Sequence, residues 1–195
     1  MKRVVSLYML LLIVAVSAVV ACNQPQRKKT DEANTASQST ASHDTATAHS
    51  AGSSVIAPVV TSYLALKNAL SADDGNAAAN AGKQLVDAIP AIDMKAVPSG
   101  KHQDYMDIMD DVKVNGTHIG ENAGKIDHQR EHFAALSKDV EDLVAMFGAP
   151  QKLYQDYCPM YDSGKGATWL SETKEIRNPF FGSKMSSCGS VKKEY

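Results

Sequence analysis

The chain has 195 residues, 20 Lys and Arg against 22 Asp and Glu, a formal net charge of −2 and 6% aromatic residues. That balance excludes a nucleic-acid binder, which needs a basic face, and so few aromatics argue against a large β-sandwich. Ala, Leu, Lys, Asp and Met favour helices, and the length suits one modest domain plus a tail.

The first element is a leader. Lys2 and Arg3 form a positive start, and an apolar run follows from Val4 to Ala21, interrupted by Ser6, Tyr8 and Ser17. A charged start, an apolar stretch and a small residue before the cut make a secretory signal peptide. The run is nearly long enough to span a bilayer, so a retained anchor is the alternative. Val19-Val20-Ala21-Cys22 decides against it. That pattern resembles the bacterial lipobox, which implies diacylglyceryl transfer to Cys22, removal of residues 1–21 and acylation of the new amine by palmitate or a similar chain. Each chain contributes about 0.8 kcal/mol per buried CH₂, and several together hold a protein on a membrane. Loss of Lys2 and Arg3 makes the mature chain more acidic still. The expectation is a lipoprotein of the bacterial cell envelope, facing the periplasm.

Residues 22–55 form the next unit. Asn23 to Ser54 is rich in Ser, Thr, Ala, Gln and Asn, carries His43 and His49, and has almost no large apolar residue. Such a segment cannot bury enough surface to offset its ordering entropy, so it reads as a flexible tether. Its two histidines are ordinary linker residues or weak metal ligands.

The folded domain is expected over 56–195. Val59, Tyr63, Leu66 and Leu70 step by four, three and four, one face of a helix. Asp73-Asp74-Gly75 marks a turn. Ala78, Ala81, Leu85 and Ala88 give a second stripe, stopped near Pro90, and a longer connection runs from Ala91 to Gly100. A third helix is predicted from about Gln103 to Asn122, with Tyr105, Ile108, Val112 and Ile119 as its apolar face. Gly116, Gly120 and Gly124 lower its propensity, but their spacing allows close approach to a neighbour. The clearest periodicity is Phe133, Leu136, Val140, Leu143 and Phe147. It predicts a fourth helix from about Asp127, read as its N-cap, to Phe147, with Gly148 as the C′ residue and Pro150 beyond. Four amphipathic helices predict a mainly α, up-and-down four-helix bundle. From 150 the pattern changes: the segment 150–195 is irregular, with Leu153 to Tyr157 and Thr168 to Leu170 as short strands, a possible β-hairpin.

The candidate chemistry sits in that segment. Cys158-Pro159-Met160 and Met185-Ser186-Ser187-Cys188 each place a thiol near a thioether. In an extended segment Cys158 and Met160 face the same way, and a helical turn puts Met185 and Cys188 on one side. Two thiols and two thioethers are a soft ligand set, suited to Cu(I) and poor for Zn²⁺, Mg²⁺ or Ca²⁺. His132, four residues from His128 on the fourth helix, is a candidate nitrogen ligand to the same site. His118 is a weaker candidate, and Met160 and Met185 have core packing as their alternative. For Cys158 and Cys188 a structural disulfide stands beside metal binding. Closing a loop of about 30 residues stabilises by about 3–4 kcal/mol in the chain-entropy model. A sulfur separation of about 2 Å means the disulfide, and roughly 3.5–4.5 Å, with methionine sulfur converging, suits a metal bound at about 2.3 Å.

Cys158-Pro159-Met160, Trp169-Leu170-Ser171, Ile176, Asn178-Pro179-Phe180-Phe181-Gly182, Met185 and Cys188-Gly189 together resemble a bacterial domain of unknown function. That family occurs as small lipoproteins in Bacteroidota and as a C-terminal extension of periplasmic adaptors in copper/silver efflux pumps. The resemblance extends to Arg130, Phe133, Leu136 and Ser137 and to Tyr63, Leu66 and Leu70; Phe180 departs from an expected Tyr. It implies a heavy-metal setting, copper above others, with an efflux adaptor or pump as partner. No paired-cysteine redox motif, nucleophile elbow, phosphate loop or zincin motif is present. The expected function is therefore binding rather than catalysis: holding Cu(I) for buffering or delivery, or else an interaction lipoprotein stapled by a disulfide and docked on an envelope partner.

Overall fold

The computed structural model describes residues 53–195. The expected leader, the expected lipidation site at Cys22 and all but the end of the expected tether lie outside the described residues. Among the described residues no helix is long and apolar enough to cross a membrane.

Four helices lead the domain: α1 (Ala57–Ser71), α2 (Gly75–Ala88), α3 (His102–Glu121) and α4 (Ile126–Phe147). Each turns inward the stripe its sequence announces. Val59, Tyr63, Leu66 and Leu70 of α1 are buried, as are Phe133, Leu136, Val140, Leu143 and Phe147 of α4. Burying one such side chain contributes about 1.5–3 kcal/mol. The Asp73–Gly75 turn is made by Asp73 at φ 59° and by the Asp74 side chain, which accepts from the backbone N–H groups of Asn76 and Ala77 and caps α2. Asp127 is not the cap of α4. That position is Lys125, which makes no side-chain cap, and Asp127 stands in the first turn, where its charge still favours the helix N-terminus. Gly148 ends α4 with φ 85°, a conformation open to glycine.

The glycines of α3 do allow close approach. A Cβ on Gly116 would stand 2.9 Å from Val86, and one on Gly120 2.9 Å from Lys83, both on α2. Gly82 of α2 is the reciprocal position, facing the backbone of Gly116 and Gly120. Gly124 lies in the α3–α4 connection with φ 80°, where a Cβ would meet open space.

The C-terminal segment is a three-stranded antiparallel sheet, one strand more than the hairpin. β1 (Tyr154–Cys158) lies between β2 (Ala167–Ser171) and β3 (Ser190–Glu194). Tyr154, Asp156 and Cys158 alternate inward along β1, the period-two pattern of a strand covered on one face. β3, Ser-Val-Lys-Lys-Glu, is almost wholly exposed, which explains why no apolar alternation announces it. The sheet does not stand apart. Leu153, Cys158, Trp169, Leu170 and Phe180 share one core with Tyr63, Leu66, Phe133 and Leu136.

Candidate functional site

Two constellations of potential metal ligands are built by this fold, one of sulfur and one of nitrogen.

The first joins Cys158 and Cys188, whose Sγ atoms are 3.0 Å apart. Cys158 is the last residue of the central strand and is fully buried, whereas Cys188 is partly exposed. Asn178 sets the position of Cys188. Fully buried, it donates from Nδ2 to the Cys188 carbonyl at 2.7 Å, while its Oδ1 accepts from the N–H groups of Phe180 and Phe181 at 2.8 and 3.1 Å. The backbone N–H of Cys188 donates to the Met185 carbonyl at 3.1 Å, closing a turn over residues 185–188. Gly189 then passes against Trp169, where a Cβ would come within 2.9 Å of the indole. Phe180 fills its place without a hydroxyl, its ring 5.7 Å from Trp169, 5.8 Å from Phe133 and 4.3 Å from Tyr161.

The same segment is tied to the helices by Arg130 of α4. Its Nε donates to the Pro179 carbonyl at 2.9 Å, and its Nη2 to the Leu70 carbonyl at 3.0 Å and to Asp73 at 2.6 Å. Asp73 also accepts from the Ser183 N–H at 3.0 Å. These hydrogen bonds, from Ser183 first and Arg130 next, hold the Asp73 carboxyl at about 2. Gly182 passes so close, at φ 54°, that a Cβ would strike Asp73 and Arg130.

The thioethers stand differently from their expected places. Met160 follows the end of β1, takes a helical backbone conformation and is 56% exposed, so strand alternation does not carry it to the face of Cys158. Met185 is half-buried and precedes Cys188 through a turn, not a helical turn. The thiol of Cys188 is raised above the ordinary thiol range by its hydrogen bond with Cys158 and by burial.

The second constellation is His118 of α3 with His128 and His132 of α4. One ring nitrogen from each lies within 4.8 Å of the others, and no other group of three His, Cys, Asp or Glu is so placed among the described residues. The rings of His118 and His132 stack at 4.4 Å, and His128 stands edge-on to His132 at 4.7 Å. His132, read from sequence as an extra ligand for the sulfur site, is thus gathered with histidines. It leaves α4 on the side facing α3, while Arg130 and Phe133 leave toward α1 and the C-terminal segment. The 128/132 spacing was visible in the sequence. The participation of His118 depended on the pairing of α3 with α4, which no periodicity specifies.

No curated protein and no solved structure matches the chain. Residues 59–152, from α1 through α4, match the model of the family described as "Protein of unknown function (DUF3347)".

Proposed function

We propose that this protein is an envelope-anchored lipoprotein that binds a soft heavy-metal ion, Cu(I) first among them, for buffering or for delivery to an efflux system. The observation that carries the reading is the meeting of Cys158 and Cys188, thirty positions apart in sequence, with their sulfurs at 3.0 Å. Thiolates select soft ions. Parting by about 1 Å would let both sulfurs reach one ion through bonds near 2.3 Å. Met185 and Met160, close to the two thiols in sequence, are the proposed thioether donors, and Met160 would have to turn inward from its exposed position to reach the pair. Copper and the efflux partner rest on the resemblance of the C-terminal motif, and the membrane anchor on the lipobox pattern at Cys22.

The test is a Cu(I) titration of the reduced chain without oxygen, in competition with a chelator. The expected result is tight one-to-one binding, weakened at least a hundredfold in the Cys158→Ser, Cys188→Ser double variant. Equal affinity in the two proteins overturns the reading.

The 3.0 Å separation also favours a second reading, since closing by about 1 Å gives the bond length of a disulfide. An intact mass about 2 Da below that of the dithiol in protein taken from the envelope supports it, and free thiols there count against it. Oxidation would abolish the metal site and reduction restore it.

A further inference from the structure

We propose that His118, His128 and His132 form a second metal site, independent of the thiols, for a divalent ion of the Zn(II)/Cu(II) class.

The site stands on two rigid elements. His128 and His132 are four apart on α4, so both project from one face, and α3 delivers His118 opposite them. The opposed pairings His118–His132 and Asn115–Asp139 fix α3 and α4 antiparallel in register. Imidazole nitrogens bind Zn(II) at about 2.0–2.1 Å, so three of them around one tetrahedral ion stand about 3.3–3.5 Å apart. The nitrogens here lie within 4.8 Å of one another, so an ion would draw the three rings closer together.

The surroundings set which nitrogen is offered. Asn115 donates from Nδ2 to the Asp111 carbonyl at 3.0 Å, which turns its Oδ1 to His132 Nδ1 at 3.0 Å. Nδ1 of His132 therefore carries the proton, and the Nε2 lone pair is left for a ligand. The Nδ1 atom of His128 faces Glu131 Oε2 at 3.4 Å, the same arrangement with a carboxylate. Outer hydrogen bonds that fix the tautomer are the usual support of metal-bound histidine.

Three imidazoles without a thiolate suit borderline ions; Mg²⁺ and Ca²⁺ prefer oxygen, and Cu(I) prefers the sulfur pair. His118 is exposed and the other two half-buried, so the site opens to solvent and can exchange its ion. An unoccupied surface stack of rings is the plain alternative, and it predicts no binding.

The experiment uses the full chain with Cys158→Ser and Cys188→Ser, titrated with Zn(II) by calorimetry, so that failure of the thiol site cannot be mistaken for failure of this one. One equivalent should bind, and His118→Ala, His128→Ala or His132→Ala should each weaken it tenfold or more. His118 is exposed, so its variant keeps the fold. Should the serine variant not fold, the reduced wild-type chain serves, with histidine side-chain NMR as the readout. Zn(II) should then move the Nε2 resonances of all three rings together. Affinity unchanged by His118→Ala, or Nε2 signals that stay in place at saturating Zn(II), overturns the proposal.

Discussion

Asp156 is the residue on which the fold's response to pH turns. It lies fully buried on the central strand, and neither carboxylate oxygen has a hydrogen-bond partner among the described residues. Burial pushes its carboxyl up to about 7, with Lys67 opposing the shift. An unfolded Asp ionises near 3.9. Between about pH 4 and pH 7 the folded chain therefore holds a proton that the unfolded chain has lost, and stability falls as pH rises through that window. The cost is of order 2–4 kcal/mol once the carboxyl is charged. Asp139, raised to about 6 by burial and by Asp111, acts in the same sense. Asp73, held at about 2, acts oppositely: its contribution is present above about pH 4 and lost as pH falls toward 2. Asp156→Asn removes the largest of the rising-pH losses. Urea midpoints measured at pH 5 and pH 8 should fall with pH in the wild-type chain and fall distinctly less in the variant. Equal slopes would show that Asp156 is already solvated or paired.

At the scale of elements, the α2–α3 contact depends on missing side chains. A Cβ on Gly82 would meet the Gly116 carbonyl oxygen and the Ile119 side chain at 3.0 Å and the Gly120 nitrogen at 3.1 Å. Two of these are backbone atoms, which cannot rotate away. Gly82→Ala gains about 1 kcal/mol of helix propensity, but overpacking costs about 1–3 kcal/mol. The net expectation is a lower melting temperature. A control at an exposed helical position, Asp110→Ala, should leave it nearly unchanged. A rise in melting temperature for Gly82→Ala would mean that α2 and α3 sit further apart. The α1–sheet–α4 junction is built the other way, by polar contacts. Tyr63 Oη accepts from the Leu170 N–H at 3.0 Å and shares a hydrogen bond with Ser137 Oγ at 2.9 Å, so one hydroxyl ties three elements. Burial raises the Tyr63 phenol far above its ordinary range, and it stays protonated at any working pH.

For the whole molecule, the helices and the sheet are one folding unit. The family match stops at residue 152, yet Trp169, Leu170 and Phe180 complete the core that Tyr63, Phe133 and Leu136 begin. The C-terminal Cys/Met motif lies beyond the matched residues. The core binds it to them all the same. Two-state unfolding is expected of a domain this size with one core. Trp169, the single tryptophan, reports the sheet against the bundle, and far-ultraviolet circular dichroism reports the helices. The two denaturation curves should coincide. A fluorescence transition preceding the loss of helix would show that the sheet peels away by itself, and the thiol pair with it.

How far the sequence reached follows from the range of the forces involved. The four helices were legible because each buries a stripe with its own period, as Phe133 to Phe147 shows, and periodicity is local. The N-cap of α4 was misplaced by two residues because no side chain caps it. β3 went unseen because Val191 alone of its five residues is even half-buried. The sequence by itself determined the mainly α class, the turn at Asp73–Gly75 and the concentration of sulfur after Pro150. Tertiary structure alone decided that Cys158 meets Cys188 and that His132 turns to His118. Those meetings depend on strand register, on the Asn178 hydrogen bonds and on the α3–α4 pairing, which bring together residues that share no local pattern.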